Sequence, residues 1–262
     1  MTYFVTRTLS SKLWKDWSIV RPMMHFPRHT LSTKAMPQET TTNVSGNIKE
    51  IDPLSHPDYF HVHDMFTVKD LFNARVHFGH KEGSLNDLMK PFIFGSRLGH
   101  LIIDLDKTAE LLRDALNFTA HIAYRGGIIL FIAKNPQISY IVEKTAKECN
   151  EYAHTRKWKL GTFTNSTAEF GTTTRLPDLC IFLTTMESVI QQHVAVAHAA
   201  KMAIPTVGIV DTNCNPNLIT YPVPGNDDTP CTIEFYCKLF KEAIMRGKKR
   251  RNESLEINET ET

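Results

Sequence analysis

Glycine in phosphate-binding order is missing from this chain. Neither a Gly-x-Gly-x-x-Gly turn nor a Gly-x-x-x-x-Gly-Lys-Ser/Thr loop occurs in its 262 residues, so neither common backbone cradle for a nucleotide's phosphates is provided. Long apolar runs are missing too: none approaches the ~20 residues of a membrane-spanning helix. Cysteine is sparse. Cys149, Cys180, Cys214, Cys231 and Cys237 are odd in number and no two are spaced Cys-x-x-Cys, which argues against a disulfide framework or a zinc site. Charge of one sign is also in short supply. A net charge of +2 counts against a protein coated in nucleic acid on all sides and leaves room for one basic face. What remains is 42% apolar and 22% charged residues, the composition of a globular domain large enough to bury a core without staples.

Residues 1–35 differ from the rest. Arg7, Lys12, Lys15, Arg21, Arg28 and Lys34 face a single acid, Asp16, among frequent Ser and Thr. Phe4, Leu9, Leu13 and Trp17 recur at near-helical spacing. That combination describes a mitochondrial transit peptide, the competing reading being a basic amphipathic arm. Residues 36–65, broken by Pro37, Pro53 and Pro57, read as a linker or N-terminal arm. Residues 66–247 read as the folded domain, and 248–262 as a charged tail that opens with Lys248-Lys249-Arg250-Arg251.

Within the domain, Thr67 opens a short helix. Phe92-Ile93-Phe94 and Leu101-Ile102-Ile103, bounded by Pro91, Gly95 and Gly99, predict short strands or a hairpin. Asp106 or Thr108 should cap a helix of about 18 residues that ends at Arg125-Gly126-Gly127. Continuous apolar runs at 127–133, 176–183 and 204–210 predict parallel strands buried on both faces. A fourth strand at 219–224 carries Pro222 and Pro224 and belongs at an edge. Helices are expected through 138–146, over 187–202 with Val189, Ile190, Val194, Ala197 and Ala200 inward, and after Pro230. Strand and helix in alternation mean an α/β fold, a three-layer, doubly wound, flavodoxin-like and mostly parallel sheet.

The candidate binding residues are cations on connections. Lys81, Lys90, Arg97, Lys134, Arg156, Lys157, Lys159 and Arg175 lie between elements, with Trp158 and Phe163 interleaved. Cations hold phosphates, and exposed aromatics stack on splayed bases. The alternative is a doubly wound enzyme that binds a nucleotide or sugar phosphate at the strand C-termini, near Asp104, Asp211 and Asp228. No catalytic pair and no metal-ligand spacing is expected, and no cofactor.

Three blocks add a resemblance. His77-Phe78-Gly79-His80, Met89-Lys90-Pro91-Phe92-Ile93-Phe94-Gly95-Ser96-Arg97 and Ile102-Ile103-Asp104-Leu105-Asp106-Lys107-Thr108 stand in the order and spacing of the small-subunit ribosomal protein two family. Trp158, Gly161, Thr164 and Asn165 resemble its Arg-Trp-x-Gly-Gly-x-Leu-Thr-Asn loop, which adds Asn165 to the candidate RNA-binding set. The stretches 204–213 and 222–228 resemble its closing blocks. With the transit-like start, the chain resembles a mitochondrial member. The resemblance implies a non-enzymatic constituent of the mitochondrial small ribosomal subunit in the matrix, with small-subunit rRNA and neighbouring ribosomal proteins as partners, and neither a membrane nor a small-molecule substrate. If the loop cations dock on phosphates, charge reversal at Lys90 and Arg97 should reduce incorporation into the subunit without unfolding the domain. Two departures stand out. Leu160 replaces the first loop glycine, and only Ser166 to Arg175 fill the place of a long helical hairpin, so that insertion is largely missing.

Overall fold

A computed structural model of the protein describes residues 53–171, 174–188 and 190–260, the last four without their side chains. The expected transit peptide, the arm as far as residue 52, and Val189 lie outside the described residues. Thr67 opens α1 (Val68–Asn73). Its hydroxyl accepts from the Asp70 amide at 3.4 Å, and the Asp70 carboxylate accepts from the Thr67 amide at 3.0 Å. That reciprocal cap closes the helix start. The described residues just before it pack: Phe60, Val62 and Phe66 are buried in the main core.

Three strands follow as a small antiparallel sheet in the order β1-β3-β2: β1 (Phe78–Lys81), β2 (Ile93–Arg97) and β3 (His100–Ile103). The β2–β3 hairpin agrees with the sequence reading. Its two-residue turn, Leu98-Gly99, has positive φ at both positions, 54° and 76°, as such hairpins require. β1 was not expected, because Phe-Gly-His-Lys neither alternates nor carries a branched residue. α2 (Leu105–Tyr124) starts earlier than predicted: Asp104 caps it, accepting from the Asp106 amide at 3.1 Å.

The body is a five-stranded parallel sheet of β4 (Ile129–Ile132), β5 (Tyr152–His154), β6 (Leu179–Phe182), β7 (Thr206–Val210) and β8 (Tyr221–Pro224). Its order is β5-β4-β6-β7-β8, the flavodoxin-like arrangement in which the first strand lies between the second and the third. Alternate residues of one strand serve two cores. Leu179 and Ile181 face α2, α3 (Pro136–Glu148) and α6 (Pro230–Thr260), whereas Cys180 and Phe182 face α5 (Val194–Lys201), Met89 and Phe163. Burial on both sides is why these strands read as unbroken apolar runs. β8 closes one edge, where Pro222 and Pro224 forfeit no ladder bond.

One predicted helix is shorter than expected. The stretch 187–202 holds only α5, because His193 is its cap, accepting from the Ala195 amide at 3.2 Å. Before it, Met186 bridges Gln192 and the Glu187 amide donates to the Gln191 carbonyl. The buried face is Ala195, Val196, His198 and Ala199, and Ile190 is exposed. A run of Ala and Val has no polar side to orient it, so the expected inward set was wrong.

Candidate nucleic-acid interface and cation site

The C-terminal ends of the parallel strands deliver Lys134-Asn135 after β4, Thr184 after β6, Asp211-Thr212-Asn213 after β7 and Asn226-Asp227-Asp228 after β8. β1 lies against this edge. The His80 amide donates to Thr212 Oγ1 at 3.0 Å. A Cβ on Gly79 would stand 2.4 Å from Thr212 Cγ2, so the glycine between Phe78 and His80 is what lets β1 approach β7. Gly79→Val is therefore expected to destabilise the fold by about 2 kcal/mol, from overpacking. A urea titration that left its midpoint unchanged would refute this contact.

That approach aims His80 at two carboxylates. Its Nδ1 stands 3.1 Å from Asp211 Oδ2, and its Nε2 3.5 Å from Asp228 Oδ2. One ligand atom from each of His80, Asp211 and Asp228 falls within 4.8 Å of the others. Asp211 is 1% exposed. Its Oδ1 accepts from the Thr212 amide, but Oδ2 and His80 Nδ1 face each other without forming a well-directed hydrogen bond. The buried Tyr236 hydroxyl nearby also has no partner. The Asp211 carboxylate, an acceptor 3.1 Å from Nδ1, raises the His80 pKa to about 9 against the opposing effect of burial, with Asp211, Asp228 and Asp227 adding Coulomb attraction. Burial, with Asp211 and Asp228 beside it, pushes the Asp227 carboxyl well up. Such a crowd of acceptors round one imidazole suits a divalent cation with mixed nitrogen and oxygen ligands. The sequence reading expected no metal site; Asp211 and Asp228 are remote in sequence from His80, and no spacing signalled the cluster.

The cleft between the ends of β4 and β6, about 300 Å³, is lined by His80, Lys134, Asn135, Thr184, Glu187 and Asp228 among others. Lys134 donates to the Glu187 carbonyl and lies 3.6 Å from its carboxylate. Asn135 accepts from the Gln137 amide and so caps α3. The groups that would meet a phosphate are thus already engaged, and acids line the same cleft.

The predicted binding residues divide into two groups. Lys90 pairs with Asp87 at 2.8 Å, Arg175 with Asp178 at 2.9 Å, Lys159 with Glu169, and Lys134 with Glu187. Lys81, Arg97, Arg156 and Lys157 are exposed and make no ion pair among the described residues. Asn165 is exposed at the start of α4 (Ser166–Phe170) without capping it. Trp158 is not a free stacking surface: its Nε1 donates to His198 Nδ1 at 3.1 Å and its ring meets Phe163 edge-on. Phe163 is buried.

Two free cations share a neighbour that sequence reasoning missed. Lys81 and Arg97 both pair in register with His100, so three basic side chains stand abreast on one face of the small sheet, about 4.8 Å apart from strand to strand. Beside them opens an apolar cleft of about 950 Å³ lined by Phe72, Phe78, Phe94 and Leu98. Phe94 is 80% exposed and Leu98 94%. Exposed aromatic rings bordered by cations are the combination on which bases stack and phosphates are held.

The sequence model for Ribosomal protein S2 matches residues 71–170 and 168–247. "Small ribosomal subunit protein uS2m" of Bos taurus is 57% identical over 202 residues, 77% of this chain and 69% of its own length. "Small ribosomal subunit protein uS2" of Nitratiruptor sp. is 34% identical over 240 residues, which take in 75% of this chain and 88% of its own. The protein of the same name from Rickettsia bellii is 33% identical over 224 residues, 69% of this chain and 76% of its own. These alignments differ in gaps. Since 77% of 262 residues is about 202, the bovine alignment uses about as many residues of this chain as it is long. Since 75% of 262 is about 197, about 43 of the 240 Nitratiruptor positions have no counterpart here. For Rickettsia, 69% is about 181 of 224, again about 43. The family match itself breaks and resumes at 168–170.

Proposed function

This chain belongs to the Ribosomal protein S2 family, and from that premise we propose that it is a structural, non-catalytic constituent of the mitochondrial small ribosomal subunit that holds small-subunit rRNA and adjoining ribosomal proteins. The observation that carries the RNA part is the row of Lys81, His100 and Arg97 across three hydrogen-bonded strands. A sheet fixes the spacing of these side chains, so ordering them on a phosphate chain costs little further conformational entropy. Arg156 and Lys157, exposed after β5 and without an ion pair among the described residues, extend the same chemistry along the strand ends. Lys90, Lys134, Lys159 and Arg175 stay in the proposed set, each exchanging a largely exposed internal ion pair, worth about 0–1 kcal/mol, for a phosphate. The residues 1–35 direct the chain to the matrix and are removed there.

Lys81→Glu with Arg97→Glu tests the reading. Both side chains are exposed and without ion pairs among the described residues, so thermal unfolding should be unchanged. Incorporation into the small subunit, read by sucrose-gradient sedimentation from mitochondria, should fall about tenfold or more, as for loss of two phosphate contacts. Undiminished incorporation of the double variant would exclude the row as an rRNA contact. No helix among the described residues is long and apolar enough to cross a membrane.

A further inference from the structure

The row of cations on the small sheet has an apolar row beside it, and one irregularity puts the two on the same face. On β3, His100 and Ile102 are two residues apart and share a face. On β1 their partners are Lys81 and Phe78, three residues apart. A regular strand would point those two side chains to opposite faces. The pairing shifts between Phe78 and Lys81, and the extra residue returns Lys81 to the face that Phe78 shows. On β2 the partners are Arg97 and Gly95. Phe78, Ile102 and Gly95 therefore run beside Lys81, His100 and Arg97, about 7 Å away along the strands. A Cβ on Gly95 would meet nothing within 4 Å, so the third place in the apolar row is an open gap. Phe94 precedes it and lines the same cleft, 80% exposed. On the other side, the His77 ring lies 4.2 Å from that of Phe78, and Phe72 is stacked on His77 at 4.5 Å and 7°.

We infer that this face seats unpaired nucleotides of the small-subunit rRNA, with bases stacked on Phe78 and Phe94 beside the gap at Gly95 and phosphates on Lys81, His100 and Arg97. This rests on the ribosomal reading above and names the form of RNA that the row holds. Two observations select it. The rings and the cations share one face, and a duplex can use only the cations. Its bases are stacked on one another, out of reach of a ring on a sheet, whereas an unpaired base is free to leave its neighbours for an aromatic side chain. A protein neighbour would use the phenylalanines, but interface cores are depleted of lysine. Here Lys81 and Arg97 border the rings, exposed and without an ion pair among the described residues. The acids that line the cleft are Asp104 and Asp106. Both belong to the start of α2, where Asp104 is the cap and lies 3.4 Å from Lys107, so the border formed by the three strands stays basic.

The test uses the full-length chain in mitochondria with Phe94→p-benzoylphenylalanine, irradiated in the purified small subunit. The adduct is mapped by mass spectrometry and by primer extension on the rRNA. An adduct on an unpaired rRNA nucleotide supports the inference. An adduct on a base-paired nucleotide or on a protein overturns it, as does no adduct from a chain that sediments with the subunit. A chain that does not sediment there overturns the ribosomal reading, and the inference with it. A second arm uses Gly95→Val, which fills the gap and leaves every charge in place. It should keep the unfolding temperature of the parent, while the adducted nucleotide becomes about tenfold more reactive to 2′-hydroxyl acylation. Phe94→Leu, which keeps an apolar side chain and loses the ring, should do the same. Unchanged reactivity in Phe94→Leu overturns the inference whatever Gly95→Val does. Undiminished incorporation of Lys81→Glu with Arg97→Glu would remove the row and the stacking together. Lost incorporation of that variant, with a protein adduct at Phe94, would remove the stacking alone.

Discussion

Replacing Lys248 by methionine is expected to destabilise the fold by about 3 kcal/mol, although Lys248 opens a basic run that the sequence alone reads as either an RNA contact or a solvated tail. α6 continues through that run to Thr260. The Lys248 ammonium lies 2.5 Å from Glu151 Oε1 and donates to the Cys149 carbonyl at 2.6 Å and to that of Asn150 at 3.3 Å. These carbonyls end α3, where a cation answers both unpaired acceptors and the helix dipole. Glu151 is 4% exposed on its side chain, and its Oε2 accepts from the Ile129 amide at the start of β4 at 2.9 Å. Methionine keeps the stem's packing and removes the charge, which leaves a buried carboxylate without its counter-ion; breaking such a pair costs roughly 3–5 kcal/mol, and partial exposure of the lysine puts this case at the lower end. In a domain of this size that is a fall of roughly 6–10 °C in unfolding temperature. Lys249→Met is the control: Lys249 is largely exposed and 4.0 Å from Glu253, so its loss should stay within about 0.5 kcal/mol. Equal effects of the two changes in differential scanning calorimetry would show that Lys248 is a surface charge like its neighbour.

Lys248 also shows which parts of the structure can be read from sequence. Strands buried on both faces were legible because burial leaves no polar alternation: β4, β6 and β7 are recognisable from Ile, Leu, Val and Phe alone. β1 and β5 were not, being three or four residues long with glycine or histidine in place of a pattern. The cap of α2 was misplaced by two residues because Asp104, Asp106 and Thr108 are all competent caps and only the chain's path chooses among them. At the binding surface, residue type was visible and engagement was not. Lys90 with Asp87 and Arg175 with Asp178 are three apart and could be paired by spacing. Lys134 with Glu187, and His80 with Asp211, meet only because the parallel strands end together. His100 went unnoticed for the same reason: its value lies in standing between Lys81 and Arg97, which is a property of strand register.

The meeting of His80 with Asp211 and Asp228 leads to the second large effect. Protein stripped with EDTA and then given zinc is expected to gain about 2.7 kcal/mol when free zinc reaches 100 times its dissociation constant, a rise of roughly 5–10 °C in unfolding temperature. His80→Ala and Asp211→Asn should each abolish the gain. The pH dependence has a definite sign. Without a cation, His80 is held protonated by Asp211 up to about pH 9. Since this is above the ordinary histidine value near 6.5, its stabilising contribution is complete below about 6.5 and is lost as pH rises through 9. The cation must displace that proton, so each binding event releases one, and apparent affinity should rise about tenfold per pH unit between about 6.5 and 9. The metal-free chain therefore weakens over the interval in which the loaded chain tightens its grip. β1 is tied to β7 through His80, so the loss on stripping should appear first as faster amide exchange in Phe78–Lys81 and its partner β3. A zinc shift that persists in His80→Ala, or one with no pH dependence, would place the ion elsewhere. No shift at any pH would leave His80 as an imidazolium shared between Asp211 and Asp228.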